Sequence, residues 1–304
     1  MTTVAAAEAP QLRPLGVGDI VDRVFAVYRA RPLPFLAIAT VPYLLLVLVI
    51  TGLALAFASS FIGLATITDQ AASGTVPDPA LVLSAIGSLV VFGIVVGVAA
   101  VVILSAQSAA LVAAMGKGYL GKPIAISEAF RDGLRAAPTL IAAGLLVFIA
   151  LIVLWVVLIL IAALSNQALI FVVASLAAVV GTVYVVSSTL VVPVVATIER
   201  VGPIQAIRRS WSLSTGNRWR IIGLQLLLII LNVVIGALLS SVFVSALISD
   251  PTARTIAQQI ANLVANVAWA PVQWGTFAIL YYDLRVRREA FDLQLAAEAL
   301  SRQA

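Results

Sequence analysis

Residues 136–198 read AAPTLIAAGLLVFIALIVLWVVLILIAALSNQALIFVVASLAAVVGTVYVVSSTLVVPVVATI, a run of 63 residues without a single Asp, Glu, Lys or Arg. One helix needs only about 20 apolar residues to cross a bilayer, so this run is too long for one crossing. Polar side chains interrupt it near the middle, at Ser165, Asn166 and Gln167. We therefore expect two antiparallel membrane-spanning helices that are joined at these three residues.

The other uncharged stretches extend this interpretation to the whole chain. They are residues 32–68, 79–116, 221–249 and 255–282. Together with the long run they predict an all-α integral membrane protein with six transmembrane helices. The expected spans are residues 35–63, 81–115, 138–164, 168–197, 221–247 and 256–282. They would form a single membrane domain, residues 16–283, between a mobile cytoplasmic tail (1–15) and a cytoplasmic amphipathic tail (284–304).

The composition independently excludes a soluble globular fold. Of the 304 residues 62% are hydrophobic and only 10% are charged, which is too few polar side chains to cover a water-exposed surface. The net charge of +5 comes from basic residues at the ends of apolar runs. This placement favours anionic lipid headgroups over nucleic acid as partners. The chain has no cysteine and no histidine, so sites built from those residues are excluded, and we expect no metal and no cofactor.

Basic residues are distributed unequally between the two ends of the predicted spans. Of the 18 lysines and arginines, only Arg254 lies between spans 5 and 6, and the other 17 lie on the opposite side. The positive-inside rule therefore predicts a multi-pass protein with both termini in the cytoplasm. The loops on the outer side are short, at residues 64–80, 165–167 and 248–255, and leave no room for a catalytic domain.

Three basic and aromatic segments on the predicted cytoplasmic side are similar to one another. They are residues 19–35, 126–140 and 204–221, and each combines arginines with an aromatic residue in a short helical pattern, namely Phe25, Phe130 and Trp211. We expect each to form a short amphipathic helix in the headgroup region that leads into a transmembrane hairpin. The chain would then contain three degenerate repeats of this unit. The alternative is that arginine-rich loops give the pattern by chance.

The third segment has the clearest helix boundaries. Pro203 suits the first position of a helix, and Gly216 suits the left-handed residue that follows a helix end. Between them Ile204, Ile207 and Trp211 recur on one face, which we expect to turn toward the acyl chains.

The basic and aromatic side chains of these segments are candidate contacts for anionic lipid, and also for a membrane protein partner. Acidic residues nearby, such as Asp19 before Arg23 and Glu128 before Arg131, are expected to form solvated ion pairs at helical spacing. The candidate lipid or partner contacts are Arg23, Arg29, Arg131, Arg135, Arg208, Arg209, Trp211, Arg218, Trp219 and Arg220.

Amide side chains form a second candidate site, inside the predicted membrane domain. Span 6 carries four of them within an arc of about 60°, and spans 2 and 5 carry others. An unpaired amide in hydrocarbon is costly, so we expect these side chains to face the bundle interior. There they would either bond between helices or line a polar cavity. The residues are Gln107, Gln225, Asn232, Gln259, Asn262, Asn266 and Gln273.

The missing residue types limit the functions that the sequence supports. No charged residue lies well inside a span, which disfavours an ion-coupled transporter or a pump. The sequence also has no glycine-rich phosphate loop and no HExxH motif. We therefore expect a non-enzymatic, lipid-interacting scaffold or accessory subunit. The alternative is an uncoupled permease or flippase for a small molecule or lipid, with a polar path between spans 2, 5 and 6.

Three stretches carry a resemblance to a known family. They are VPVVATIERVGPIQAIRRSWSLSTGNRWR (192–220), LRPLGVGDIVDRVFAVYR (12–29) and YYDLRVRREAFDL (281–293). The chain resembles bacterial six-span proteins related to the membrane domain of glycerophosphoryl diester phosphodiesterases. The soluble catalytic barrel of those enzymes has no counterpart here, so the resemblance implies only the membrane module. It also implies a bacterial inner membrane as the location.

Overall fold

The computed structural model of the protein describes residues 14–165, 167–244 and 250–290. Within these ranges the chain is helical and contains no strand. Most of the predicted N-terminal tail (1–13) and of the predicted C-terminal tail (291–304) lies outside them. The helices are α1 (Val17–Ala30), α2 (Pro32–Ala56), α3 (Ala58–Ala72), α4 (Pro79–Tyr119), α5 (Ile126–Ser165), α6 (Ala168–Thr189), α7 (Val192–Ile198), α8 (Pro203–Ser214), α9 (Arg218–Val244) and α10 (Pro251–Glu289).

Six helical stretches in this part of the chain are long and apolar enough to cross a membrane. They are α2, α4, α5, the α6–α7 stretch, α9 and α10. The all-α architecture and the number of spans predicted from the uncharged runs are thereby confirmed. The physical reason is that hydrocarbon offers backbone groups no partner, so each apolar run satisfies its own N–H and C=O groups by forming a helix.

The 63-residue run forms the expected hairpin of α5 and α6. Trp155 Nε1 in α5 donates a hydrogen bond of 3.0 Å to Thr182 Oγ1 in α6. One residue away on each helix, a Cβ added to Gly181 would lie only 2.9 Å from the Leu154 side chain. The glycine therefore allows the two helices to approach closely. Of the predicted turn residues, Asn166 lies outside the described residues.

Two predicted spans are interrupted in the structure. The first breaks at Phe57, and α3 then continues to Ala72 through residues that were expected to form a loop. The fourth ends at Thr189, and the short helix α7 begins at Val192. Pro193 lies in the first turn of α7. Because proline has no N–H to donate, it fits a helix start better than a helix interior.

The three predicted interfacial helices differ from one another in the structure. The first is α1, which is separated from α2 by Arg31 alone, and the third is α8, which begins at Pro203 as predicted. The second is not a separate helix, because α5 runs from Ile126 through Pro138 without a break. A proline removes one hydrogen bond and kinks a helix, but the rest of a long helix can continue past it. The threefold repeat stays a prediction.

The last span is longer at both ends than expected. At its start Asp250 caps α10, since its carboxylate accepts hydrogen bonds of 3.2 Å from the N–H groups of Thr252 and Ala253. At its end α10 continues to Glu289 and stops at Ala290, which has a left-handed backbone with φ 49°. The predicted boundary between membrane domain and tail, at residue 284, thus falls inside one continuous helix.

The predicted membrane domain packs as two compact units. The smaller unit comprises residues 40–105, and within it Phe92 makes edge-to-face contacts with Phe57 and Phe61 at ring-centroid distances of 5.6 and 5.3 Å. The larger unit contains the rest of the described chain. In the larger unit α10 packs against α1, α7, α8 and α9.

A close helix contact in the larger unit depends on Gly133 of α5. A Cβ at this position would overlap the carbonyl oxygen of Ala106 in α4 and would lie 3.0 Å from the Ala110 Cβ. The obstacle is backbone rather than a flexible side chain, so α4 and α5 would have to separate to admit it.

We predict that Gly133→Ala destabilises the protein by roughly 1–3 kcal/mol, the usual cost of overpacking. The matched control is Gly144→Ala in the same helix, where an added Cβ meets no atom within 4 Å. It should leave stability unchanged or raise it slightly, because alanine favours helix more than glycine does. Thermal unfolding in detergent measures both variants. Equal midpoints for the two would contradict the close contact.

Candidate functional site

One end of the larger unit brings most of its charged residues together. We call this end the basic collar, and it consists of α1, α8 and the adjoining ends of α4, α5, α9 and α10. Acidic residues are fewer here than basic ones. Which arginines they engage decides which arginines stay available to a ligand.

Asp283 of α10 is the most buried acid of the collar, with a fully buried side chain. It forms ion pairs with Arg220 of α9 and, at 3.1 Å, with Arg287 one turn along α10. It also accepts a hydrogen bond of 2.7 Å from the N–H of Leu15, and the Leu15 carbonyl accepts hydrogen bonds from both arginines. This cluster fixes the segment before α1 to α9 and α10.

A second cluster joins α8 to the end of α10. Arg209 pairs with Glu199 at 3.0 Å and also with Glu289. Glu289 pairs with Arg285 at 3.0 Å, and the Tyr281 hydroxyl donates a 2.7 Å hydrogen bond to Glu199. The hydrogen bonds to Glu289 and Glu199 raise the pKa of Arg209 above its ordinary value. This guanidinium therefore keeps its charge at any physiological pH.

A third cluster joins α4, α5 and the segment before α8. Lys117 pairs with Glu128 at 2.8 Å and with Asp132 at 3.6 Å, and Arg200 pairs with Asp132 at 3.2 Å. Glu128 therefore binds a residue of another helix rather than the predicted Arg131.

The other predicted ion pair is also replaced by a different contact. The Asp19 carboxylate accepts a 2.9 Å hydrogen bond from the N–H of Gly16 at the start of α1, instead of pairing with Arg23. The Asp19 side chain is short and lies in the first helical turn, so it reaches the free N–H groups at the helix start. Those groups are closer to it than the guanidinium of Arg23 one turn later.

Two of the predicted lipid contacts are engaged within the protein by these clusters. Arg209 and Arg220 are half-buried and bind carboxylates of the chain itself. Among the remaining candidates, Arg23 is half-buried, and Arg29 is exposed with its Nε donating to the Phe25 carbonyl at 3.3 Å. The exposed candidates of the collar also include Arg131, Arg135 and Arg208.

Two further candidates, Arg218 and Trp219, line a crevice between α6 and α9, and a third, Trp211, contacts Arg218. We call it the α6–α9 crevice, and it has a volume of about 460 Å³. It lies on the outside of the helices, since Val180 is 62% and Trp219 86% exposed. Its lining is Val179, Val180, Val183, Tyr184, Ser187, Gly216, Arg218, Trp219 and Ile222. Apart from the residues at its collar end, this lining is aliphatic.

Arg218 is the charged residue in the lining of the crevice. Its guanidinium carbon lies 4.3 Å from the centroid of the Tyr184 ring and 5.6 Å from that of Trp211, and the two rings meet edge to face. Its Nε donates a 2.9 Å hydrogen bond to Ser188 Oγ. Within the described part of the chain its two Nη groups have no hydrogen-bond partner.

The support beneath Arg218 is built from small hydroxyl residues of α6 and α8. The Ser188 carbonyl accepts hydrogen bonds from Ser210 Oγ at 2.8 Å and from Ser214 Oγ at 3.4 Å, and all three residues are buried. These contacts anchor α8 on α6. They place Trp211 against Tyr184, and Gly216, with φ 82°, then turns the chain so that α9 starts with Arg218.

The predicted interior amides are placed differently from one another. Gln107 is buried, and its Nε2 donates a 2.7 Å hydrogen bond to the Ala39 carbonyl, which is the expected bond between helices. Gln225 and Gln273 are half-buried. The structure differs from the prediction at the other four, which are exposed: Asn232, Gln259, Asn262 and Asn266.

The exposure of Gln259, Asn262 and Asn266 follows from the lengths of the short helices that pack against α10. The short helices α1, α7 and α8 enclose only the collar half of α10, because they end with the collar. Within the larger unit the other half of α10 keeps an uncovered face. Permeation stays a prediction.

Sequence reasoning missed several residues that shape this end of the protein. Tyr184 and Ser188 contact Arg218, and Ser210 donates a hydrogen bond to the Ser188 carbonyl. Asp283 and Glu199 bind the neighbouring arginines. Ser187 and Ser188 interrupt an aliphatic run, which was a signal that this part of α6 packs against protein.

Comparisons with known proteins identify no relative. No family model matches the chain, and neither a curated protein nor a solved structure matches it.

We predict that Asp283→Asn destabilises the protein, because it leaves Arg220 and Arg287 without their shared carboxylate. Breaking a fully buried pair costs roughly 3–5 kcal/mol. The loss here should be smaller, since both arginines are partly exposed. Asp22→Asn, at an exposed position of α1, is the matched control and should have little effect. Thermal unfolding in detergent tests both, and equal midpoints would show that the Asp283 cluster does not stabilise the collar.

Proposed function

We propose that this protein is a non-enzymatic, lipid-interacting scaffold or accessory subunit of a bacterial inner membrane. In this proposal the α6–α9 crevice binds an anionic phospholipid. The observation that carries it is a guanidinium with two unengaged Nη groups at the collar end of an apolar, outward-facing crevice. The guanidinium lies where a phospholipid headgroup would lie, and the aliphatic part of the crevice lies where an acyl chain would lie.

The apolar part of the crevice suits an acyl chain. Val179, Val183 and Ile222 line it, and its volume of about 460 Å³ falls within the range of roughly 300–1,000 Å³ that is usual for small-molecule sites. This part of the lining is aliphatic, so an acyl chain that binds here covers no polar side chain of the protein. Such a groove favours one lipid position but does not distinguish headgroups.

The polar part of the site suits a phosphate group. A guanidinium is planar and binds two phosphate oxygens at once, and it is less strongly hydrated than an ammonium group. The rings of Tyr184 and Trp211 hold Arg218 in place by cation–π contact. The first turn of α9 adds N–H groups that have no partner within the helix. Together these groups give the site a preference for negative charge.

The distribution of basic residues supports a cytoplasmic position for the collar. By the positive-inside rule, the side that carries 17 of the 18 lysines and arginines faces the cytoplasm, and both termini lie there. Anionic lipids of that leaflet attract basic segments at the membrane surface. The exposed Arg131, Arg135 and Arg208 would add a general attraction to such a surface. Arg218 would add a defined position for one lipid.

The structural contacts favour a scaffold role over a catalytic one. Asp132, Glu199, Asp283 and Glu289 form ion pairs that fix helices or helix ends of the collar to one another. A second protein could bind the exposed basic face of α8 and α5. The resemblance to membrane domains of glycerophosphoryl diester phosphodiesterases stays a prediction, and it would agree with an accessory role.

We predict that Arg218→Gln lowers the retention of phosphatidylglycerol at least about tenfold, since a charge-assisted contact is worth roughly 1.5–3 kcal/mol. The measurement is native mass spectrometry of protein released from nanodiscs that contain equal amounts of phosphatidylglycerol and phosphatidylcholine. Wild-type protein should keep the anionic lipid in preference to the zwitterionic one.

The matched control for the charge is Arg208→Gln, because Arg208 is an exposed arginine of the neighbouring helix outside the crevice. It should lower retention much less than Arg218→Gln does, because Arg208 attracts anionic lipid in general but does not line the crevice.

A second pair of variants tests the apolar part of the crevice. Val183→Trp fills the crevice and should release the lipid, whereas Val173→Trp, at an exposed position of α6 outside the lining, should not. Equal retention by the Arg218 and Arg208 variants would refute the proposed site.

A further inference from the structure

We propose that a second pocket of the basic collar binds a phosphate group that carries two or more negative charges. The pocket lies between α1 and the turn after α4, and it has a volume of about 320 Å³. We call it the α1–α4 pocket. Among the described residues its charged lining consists of Arg23, Arg31 and Lys122, without an acid. The pocket shares no residue with the α6–α9 crevice, so this inference does not depend on lipid binding there.

The break between α1 and α2 places Arg31 at the pocket. Arg31 precedes Pro32, and a residue before a proline avoids the helical region for steric reasons. Its backbone has φ −147° and ψ 69°, so α1 ends there, and its N–H donates a 3.3 Å hydrogen bond to the Tyr28 carbonyl. Arg31 therefore lies between two helices, exposed and in the lining of the pocket.

The turn that ends α4 places Lys122 on the opposite wall. Gly121 has a left-handed backbone with φ 70°. Its N–H donates to the Gly118 carbonyl at 3.1 Å, and the N–H of Lys122 donates to the Lys117 carbonyl at 2.9 Å. This pair of bonds is a Schellman motif, which satisfies carbonyls at a helix end. It fixes the position of Lys122 relative to α4.

A close contact holds the two walls together. A Cβ added to Gly118 would lie only 2.8 Å from Val27 Cγ1 in α1 and 3.1 Å from Ile124 Cδ1 after the turn. Glycine thus allows α1, α4 and the following segment to meet. These three residues belong to the lining, together with the small residues Ala26 and Ala30. The pocket is therefore a gap in a packed contact between elements of the collar.

No carboxylate of the described chain neutralises the cations of the pocket. Within the described residues the side chains of Arg23, Arg31 and Lys122 form no ion pair and no hydrogen bond. Asp19 and Asp22 line a smaller neighbouring pocket with Arg23, but neither forms an ion pair with it. A cleft lined by charges of one sign raises the local concentration of ions of the opposite sign.

The number and the kind of cations indicate the class of anion. A guanidinium binds two phosphate oxygens at once, and a lysine ammonium binds phosphate as a point charge. A phosphodiester has a single negative charge and would leave most of the positive charge unbalanced. A phosphomonoester carries nearly two charges at neutral pH. Two sources supply a phosphate group of this charge: the headgroup of phosphatidate in the membrane and a soluble anion such as inorganic pyrophosphate.

Two measurements on the full chain separate these sources. For the lipid, native mass spectrometry follows protein released from nanodiscs with equal amounts of phosphatidate, phosphatidylglycerol and phosphatidylcholine. The protein carries Arg218→Gln, so that the α6–α9 crevice does not contribute. For the soluble anion, calorimetry follows the titration of inorganic pyrophosphate into protein in phosphatidylcholine nanodiscs at constant ionic strength. We expect either retention of phosphatidate over phosphatidylglycerol, which assigns the lipid, or saturable binding of pyrophosphate, which assigns the soluble anion.

Variants of the lining test whether the binding occurs in the pocket. Arg31→Gln and Lys122→Gln should each weaken it at least about fivefold, because each removes a charge-assisted contact. The matched control is Arg29→Gln, at an exposed arginine of α1 outside the lining, and it should weaken binding less than about twofold. Ala30→Trp keeps all three cations but fills the pocket, so it should weaken binding as strongly as the loss of a cation.

Three results would overturn the proposal. The first is the absence of both the preference for phosphatidate and the binding of pyrophosphate. The second is an equal loss of binding in Arg29→Gln and Arg31→Gln, and the third is unchanged binding in Ala30→Trp. Either of the last two would show attraction to surface charge in general rather than to the α1–α4 pocket. Arg31 and Lys122 are exposed, so their variants should keep the thermal unfolding midpoint of the parent protein.

Discussion

The exclusion of charge from hydrocarbon is the constraint on which this structure depends. An ionised side chain inside a bilayer costs at least about 2.5–3.5 kcal/mol, so charged residues lie at helix ends. At the collar this concentrates many arginines beside few acids. Each acid therefore has more than one partner. Asp283 binds Arg220 and Arg287, and Glu199 binds Arg209 and the Tyr281 hydroxyl. These bonds join helices that are distant in sequence, and they hold α10 against α1, α8 and α9.

The same shortage of acids creates the candidate site. Arg209 and Arg220 bind carboxylates of the collar. Arg218 lies between them in sequence and instead contacts Ser188 and the rings of Tyr184 and Trp211. In this setting Arg218 uses its Nε for the hydrogen bond to Ser188 and keeps its two Nη groups for a ligand. Arg218 lies at the collar end of an aliphatic crevice, and its Nη groups have no hydrogen-bond partner in the described part of the chain. An amphiphilic anion can satisfy both features at once. The site is thus a consequence of how the collar is stabilised.

Uncharged runs predicted the spans because length and the absence of charge are properties of single segments. The same holds for Pro203 and Gly216, which mark the ends of α8 through local backbone preferences. Prolines were less informative. Pro193 lies in the first turn of one helix whereas Pro138 lies inside another, so the residue alone does not mark a helix boundary.

The ion pairs of Asp283 with Arg220 and of Glu199 with Arg209 could not be predicted, since nothing local shows which distant helices meet. The amides of α10 were predicted to turn inward because an unpaired amide in hydrocarbon is costly. Nothing in α10 itself shows that α1, α7 and α8 pack only against its collar half.

The proposed site requires that one anionic phospholipid occupies the crevice beside Arg218. Photo-crosslinking tests it most directly, with phosphatidylglycerol that carries a diazirine in its acyl chain and with the attachment sites mapped by mass spectrometry. We expect adducts concentrated on residues 179–187 and 216–222, whereas adducts spread evenly over the outward faces of α5, α6 and α9 would refute lipid binding at the crevice.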